Sequence, residues 1–451
     1  MENCVNLLIL ADDLTGALDT GVQFAKIGAN VEVYLSLDDA TRSIRETGAN
    51  KAAKVNGYPR ADVRVINTDT RHASPDEARK TVAAAANAFW NCTHFYKKTD
   101  SCLRGNIGAE LEAFMEATGC SRLPFVPAYP ALKRTTRGGF QYLDGKPIHQ
   151  SPMALDPLNP VTDSFIPSII GKQTKIPVRL VPLYLAGTDP AGTEHESGTD
   201  IAGTEHILVF DAETPAHLAA AAKALREEGL LRVSAGCAGF AEALMEALPF
   251  NRGNEGVAAF TPADKLPILV VSGSLNPVSV GQVEAAREKS VPCFSVAEGD
   301  LLAEGWFGSE NARSLAAECR RLLEAGGVCV LGTDLAIGGT PMGTDPETRP
   351  AASFKDGHSR QVARQVADGF GKIVQSVINE TGPLHLVVFG GDTLLGIMKT
   401  LGYRYLRPLK EIYPGVVLAE TDGGKGFFVT KSGAFGDRAL ISALKDFFGN
   451  N

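Results

Sequence analysis

Leu7-Leu8-Ile9-Leu10-Ala11-Asp12-Asp13-Leu14-Thr15-Gly16 decides how the rest of the chain is read. An apolar run of strand length gives way to two adjacent carboxylates, a hydroxyl and a glycine. Ala17 to Gly28 follows with apolar residues at helical spacing. Uninterrupted hydrophobicity marks a parallel strand buried on both faces, and the abrupt polar end marks its C-terminal tip, where a helix begins. In open α/β sheets that edge is where ligands sit. The stretch therefore predicts an α/β protein that holds a small polar molecule at this tip.

Two further strands end the same way. Val63-Arg64-Val65-Ile66 runs into Asn67-Thr68-Asp69-Thr70-Arg71. His94-Phe95-Tyr96-Lys97-Lys98 runs into Thr99-Asp100-Ser101-Cys102-Leu103-Arg104-Gly105-Asn106. In a parallel sheet the three tips converge on one edge. Ser74-Pro75-Asp76-Glu77 combines an N-cap, a proline at the first helical position and a capping-box acid, so a helix starts there. Ile107 to Thr118 reads as the helix after the third tip. Lys97 and Lys98 alternate along a strand, so at most one of them faces the site. Val233 to Phe240 reads as a glycine-marked entry to a helix. Lys133-Arg134-Thr135-Thr136-Arg137-Gly138-Gly139 sets cations and hydroxyls beside two glycines and reads as an anion-contacting loop. Residues 144–175, rich in proline and polar side chains, read as a long functional loop.

A chain of 451 residues is too long for one ordinary core. The best break is 249–266, where Pro249, Gly253, Gly256 and Pro262 stand among charges without periodicity. The expected organisation is a domain at 1–248, a linker at 249–266 and a domain at 267–451. Each domain is expected to be a mainly parallel sheet flanked by helices, with the active site in the cleft between them. The net charge of −8 argues against a nucleic-acid surface, which needs a basic stripe. Eight cysteines include no CxxC pair and read as reduced thiols rather than a disulfide frame or zinc site. No stretch approaches the roughly 20 apolar residues of a membrane span. Glu2 ahead of a short apolar run does not make a signal peptide. A cytoplasmic protein is the expectation. Ala191-Gly192-Thr193-Glu194-His195 recurs as Ala202-Gly203-Thr204-Glu205-His206. This repeat reads as a surface excursion, without the rigid frame a metal site needs.

Past residue 266, three strand ends carry glycine and hydroxyl groups: Ser272-Gly273-Ser274, Gly390-Gly391-Asp392-Thr393 and Lys431-Ser432-Gly433-Ala434-Phe435-Gly436. Glycine lets the backbone approach a phosphate, and helix N-terminal amides favour its charge. Hydroxyls donate to phosphate oxygens, Lys431 adds a positive charge and Asp392 suits Mg²⁺. One such turn is ordinary punctuation; three in one domain make a phosphate site the better reading. There is no GxxxxGK(S/T), and no GxGxxG after the first strand of either domain, which argues against P-loop and Rossmann sites. The N-terminal tips offer carboxylates beside cations, which suits a hydroxy acid. Arginine grips a carboxylate with paired hydrogen bonds, while aspartate accepts from hydroxyls or takes the proton of an attacking one. Asp13 reads equally well as a helix N-cap, and Arg104 has a surface ion pair as its plainer role.

Taken together, Ala11 to Gly16, Asn67 to Arg71, Lys97 to Asn106, Ser272-Gly273-Ser274, Gly390 to Thr393 and Lys431-Ser432-Gly433 resemble the four-carbon acid sugar kinase family over nearly the whole chain. The resemblance implies an N-terminal sugar-acid domain, a C-terminal nucleotide domain and ATP-dependent phosphorylation of the terminal hydroxyl of a tetronate. Family members act on D-threonate, D-erythronate, L-threonate or 3-oxo-tetronate. Cys102 stands where threonine is expected, and Leu18 where a small or polar residue is usual.

The candidate substrate residues are Asp12, Asp13, Arg71, Lys98, Thr99, Asp100, Ser101 and Arg104, with Asp12 first and Asp100 second as the catalytic base. The candidate ATP residues are Ser272, Ser274, Gly390, Gly391, Asp392, Thr393, Lys431 and Gly433. The expected cofactors are ATP and Mg²⁺, with no metal ligand set assigned. D-Threonate or D-erythronate is the expected substrate. The rival readings are a 3-oxo-tetronate 4-kinase, a sugar-acid sensor without catalysis, and a lyase or aldolase using a Lys98 Schiff base. No nucleic-acid or membrane partner is expected, and a homodimer is left open.

Overall fold

Aliphatic and β-branched runs become strands where both faces can be covered, and this chain supplies two sets of them. The computed structural model describes residues 6–46, 61–156, 158–182, 205–250, 266–337, 357–423, 426–433 and 435–449. Most of the 191–206 repeat, of the 249–266 linker and of the loop around 336–350 lies outside the described residues. Two compact units result: Met1–Val31 with Ser36–Asn254, and Glu32–Leu35 with Glu255–Asn451.

The first part of the chain carries β1 (Leu7–Ala11), β2 (Val31–Tyr34), β3 (Val63–Asn67), β4 (His94–Lys98), β5 (Arg122–Val126), β6 (Arg134–Arg137), β7 (Phe140–Leu143), β8 (Lys146–Pro147), β9 (Val178–Val181), β10 (His206–Phe210) and β11 (Val233–Gly236). In the first unit the strands run in the order β3-β1-β4-β11-β5-β10-β9, every pair parallel. Ala11 is in register with both Asn67 and Lys98, so the three polar tips end level on neighbouring strands. The expected capping box is present: Ser74 Oγ accepts from the Glu77 amide, and the Glu77 carboxylate accepts from the Ser74 amide.

Two readings of the sequence need correction. Val233–Gly236 is a central strand between β4 and β5, not merely an entry to the helix Ala238–Ala247. Its small residues suit a crowded place, since a Cβ on Gly236 would strike the Val126 carbonyl and lie 2.8 Å from the Tyr96 hydroxyl. The Lys133–Gly139 segment is an antiparallel hairpin, β6 with β7, rather than an open anion loop. The Gly138 and Gly139 amides donate to the Asp211 carboxylate at 2.7 and 3.0 Å. The anion they receive is the protein's own.

The second part carries β12 (Ile268–Ser272), β13 (Cys293–Val296), β14 (Val328–Thr333), β15 (His385–Phe389), β16 (Tyr405–Tyr413), β17 (Val416–Thr421) and β18 (Phe428–Lys431). In the second unit the order is β13-β14-β12-β15-β18-β17-β16-β2, parallel from β13 to β18 and antiparallel thereafter. The early strand β2 thus serves the later sheet. Tyr34 pairs with Tyr405 across that ladder, their rings 5.4 Å apart, and Glu32 meets Arg407 at 3.2 Å. Val270, Val330, Val387 and Val429 carry the core beneath. Among the described residues no helix is long and apolar enough to cross a membrane, and none of the seven described cysteines is in a disulfide.

Candidate active site

In the first unit, backbone hydrogen bonds lock the tips together before any side chain acts. The Thr68 amide donates to the Ala11 carbonyl at 2.8 Å, and the Thr70 and Arg71 amides donate to the Asp12 carbonyl. The Thr99 amide donates to Gly236. Asp13 caps the helix Leu14–Ala25, accepting from the Gly16 amide at 3.1 Å and from the Thr15 hydroxyl at 2.7 Å. Its N-cap role is therefore real, and it coexists with an ion pair to Arg71.

Arg71 organises the carboxylates. Its Nε donates to Asp12 Oδ2 at 2.8 Å, and its Nη1 and Nη2 donate to the two oxygens of Asp13 at 2.9 and 2.7 Å. Arg104 does the same one layer over. Its Nε and Nη2 grip both oxygens of Asp100, and its Nη1 donates to Asp156 at 3.0 Å. Every nitrogen of both guanidinium groups already donates to a carboxylate. Burial pushes the Asp100 carboxyl up, but Arg104 and Arg71 outweigh it and hold it well below the usual carboxylate range. Burial also acts on Asp13, and Arg71 and Lys98 again prevail, so its carboxyl sits below the ordinary value. Both groups are acceptors of fixed charge.

Asp12 differs. Its Oδ2 is taken by Arg71, while its Oδ1 is buried without a hydrogen-bond partner among the described residues. Lys98 Nζ stands 4.0 Å from that oxygen. A buried carboxylate oxygen with no donor is costly unless a ligand supplies one. Gly16 makes room here: a Cβ on it would strike Asp13 Oδ1 and lie 2.7 Å from Lys98 Nζ.

The remaining candidates divide. Ser101 belongs to the same turn, its carbonyl accepting from Gln141 Nε2 at 2.8 Å. The Thr99 hydroxyl turns inward to the Gly236 carbonyl. Lys97 also points away from the tips, into an ion pair with Glu110 at 2.6 Å. Sequence reasoning missed Asp156, which lies inside an irregular segment, and Glu110, one of three glutamates in its helix and the buried one.

In the second unit, Ser272, Phe389 and Lys431 are in register on β12, β15 and β18, so the three glycine turns also end level. Gly390 has φ of 109°, a conformation natural to glycine, and opens the helix Gly391–Thr400. A Cβ on Gly273 would strike the Thr393 hydroxyl, and one on Gly433 would lie 2.6 Å from the Ser274 hydroxyl. Ser272 Oγ is buried with no partner among the described residues. Close backbone turns with an idle hydroxyl fit a phosphate chain. Lys431 folds inward, donating to Ser279 Oγ at 2.9 Å and to the Gly433 carbonyl at 3.1 Å, over the Phe389 ring. Burial lowers its pKa to about 7.

Two family profiles cover this arrangement. A sugar-binding N-terminal domain matches residues 7–244, and a nucleotide-binding C-terminal domain matches residues 269–441. A D-threonate kinase of Salmonella typhimurium LT2 is 30% identical over 98% of both chains. The chain belongs to the four-carbon acid sugar kinase family. Other members lie close to it. A D-erythronate kinase of Heliobacterium modesticaldum is 28% identical over 98% of this chain and 97% of its own. A 3-oxo-tetronate kinase of Pseudomonas fluorescens is 26% identical over 96% of this chain and 95% of its own. This kinase shares its fold with a crystal structure of a Haemophilus influenzae protein of family DUF1537, at TM-score 0.65 and 21% identity, over 98% of this chain and 100% of that one.

Proposed function

We propose that the chain transfers the γ-phosphoryl group of ATP to the terminal (4-) hydroxyl of a four-carbon sugar acid, D-threonate or D-erythronate. The observation that carries this reading is the unpartnered Asp12 Oδ1 beside Lys98 Nζ. Asp12 Oδ1 accepts the proton of the C4 hydroxyl as that oxygen bonds to the γ-phosphorus and ADP leaves. Asp100 is the weaker candidate for base, since Arg104 occupies both of its oxygens. Lys98 donates to the bound acid. Arg71 holds Asp12 and Asp13 in place and has only its second Nη hydrogens left for a substrate carboxylate.

ATP is assigned to the second unit's turns, through Ser272, Ser274, Gly390 to Thr393 and Gly433. The idle Ser272 hydroxyl and the close approaches at Gly273 and Gly433 support that assignment. Mg²⁺, when bound with the triphosphate, supplies charge neutralisation there, and Asp392 is the carboxylate we assign to it. An ADP-release assay over the tetronate stereoisomers and their 2- and 3-oxo forms tests the reading. Release with D-threonate or D-erythronate supports it. Release only with a 3-oxo acid moves the substrate, and no release with any acid overturns the kinase. Borohydride trapping of an acid on Lys98 would instead support the lyase reading.

A further inference from the structure

Lys97 is fully buried, and its side-chain nitrogen lies against a buried carboxylate. Its ammonium has three hydrogens and three acceptors. It meets Glu110 Oε2 at 2.6 Å, the Lys98 carbonyl at 2.9 Å and the Leu10 carbonyl at 3.3 Å. Leu10 lies two residues before Asp12, and Lys98 leads directly into Thr99 and Asp100. The ammonium therefore spans the C-terminal ends of β1 and β4 from beneath. Glu110, 2% exposed, lies in the helix Ile107–Thr118 and supplies the opposing charge.

That glutamate is itself firmly placed. The first turn of its helix is capped from a distance, with Gln173 Oε1 accepting from the Gly108 and Ala109 amides at 2.8 and 3.3 Å. Asn106 just ahead donates to the carbonyls of Thr70 and Ala73 at 2.9 and 2.8 Å, tying the helix start to the Arg71 tip. A buried ion pair is a poor source of net stability, because desolvation offsets its attraction. What this one provides is direction: two main-chain carbonyls from neighbouring strands share one donor.

We propose that Lys97 is a positioning residue, whose buried ammonium, neutralised by Glu110, fixes the spacing between Asp12 and the Lys98–Asp100 turn. It touches neither substrate nor nucleotide. The inference rests on the proposed function, since the spacing matters because Asp12 Oδ1 and Lys98 Nζ act on one acceptor hydroxyl. Misplacement by about 1 Å can cost on the order of 100-fold in rate. Burial raises the Glu110 carboxyl above its usual range, against the pull of Lys97 and with a further push from Asp12. Glu110 can therefore become neutral when Lys97 is removed, so a variant lacking the ammonium does not trap a bare charge.

The test compares the wild type with Lys97→Met/Glu110→Gln, which removes both charges at similar volume, and with Glu110→Gln, which leaves the amine and its two carbonyl contacts. Steady-state kinetics over acid and ATP are run beside thermal unfolding. The expected result is a double variant with wild-type or higher melting temperature, unchanged KM for ATP and kcat lowered about 10- to 100-fold. Glu110→Gln keeps kcat within about threefold. A folded double variant with kcat and both KM values within about twofold of wild type overturns the inference. If the double variant does not fold, Lys97→Met alone takes its place: a kcat loss of about tenfold or more in a folded protein supports the ammonium, and a kcat within about twofold of wild type overturns it. A wild type that phosphorylates no tetronate removes the proposed function and this inference together, so the two failures are told apart by the wild-type control.

Discussion

Lys98 Nζ stands 4.0 Å from Asp12 Oδ1, at ion-pair distance but beyond a hydrogen bond. The other carboxylate oxygens of Asp12, Asp13 and Asp100 are gripped by arginine. The proposed function puts the acceptor hydroxyl against these two atoms, and the first prediction follows from that assignment. Asp12→Asn keeps an oxygen for Arg71 but loses the base. Turnover should drop by roughly 10²–10⁴-fold, while ATP affinity measured by calorimetry stays at the wild-type value. Wild-type turnover in that variant removes Asp12 from the base role.

Gly16→Ala tests the same gap sterically. The added methyl meets the ends of two side chains, Asp13 Oδ1 and Lys98 Nζ, so the fold can yield while the site cannot. Melting temperature should change by only a few degrees, on the order expected for a substitution costing about 1 kcal/mol. The kcat/KM for the acid should fall about tenfold or more, a change of at least 1.4 kcal/mol in transition-state binding. An unaltered kcat/KM would place the acid elsewhere.

Gly433→Ala addresses the other unit. Its Cβ would crowd Ser274 Oγ at 2.6 Å and Asn276 Cβ at 2.9 Å. We expect ATP to bind about tenfold more weakly, a loss near 1.4 kcal/mol, with the acid's affinity untouched. Equal loss of both ligands in a calorimetric titration would argue against a nucleotide role for that turn.

Asp100 should govern part of the acid stability. Its folded pKa is well below the ordinary 3.8, so its stabilisation is present in full above that value and is lost as pH falls below it. Urea unfolding of Asp100→Asn against wild type should show a constant deficit from pH 5 to 8 that closes toward pH 2. A deficit independent of pH would mean that packing, not charge, accounts for it.

Lys431 should behave in the opposite sense. Burial brings it to about 7 in the folded protein from an ordinary 10.5. The resulting penalty is present in full below pH 7 and fades as pH rises toward 10. Lys431→Met should therefore gain most in melting temperature near pH 6 and least near pH 10. A gain that grows with pH would contradict an amine whose charge is penalised by burial.

The sequence exposed what depends on neighbours in the chain. β1 and β3 were legible because each is a largely apolar run with a polar end, β4 because it leads into the third polar tip, and the Ser74–Glu77 cap because its partners are three residues apart. What escaped depends on residues far away. Val233–Gly236 carries no strand signature, because its place between β4 and β5 selects small residues. The Gly138-Gly139 amides suggested a ligand because Asp211, which fills them, lies more than seventy residues on. Arg71 and Arg104 were visible as cations, but no local pattern says which acids will occupy them.

The pairing of β2 with β16 sets an order on manufacture. Glu32–Leu35 leaves the ribosome about 370 residues ahead of its partners Tyr405 and Leu406. The segment must wait while all the chain between them is made before its ladder exists. A chain started at Glu255 would leave β16 as a bare edge, open to whatever strand reaches it first. A single cut in the backbone cannot yield both units intact, and expression of either half alone starts from an incomplete part.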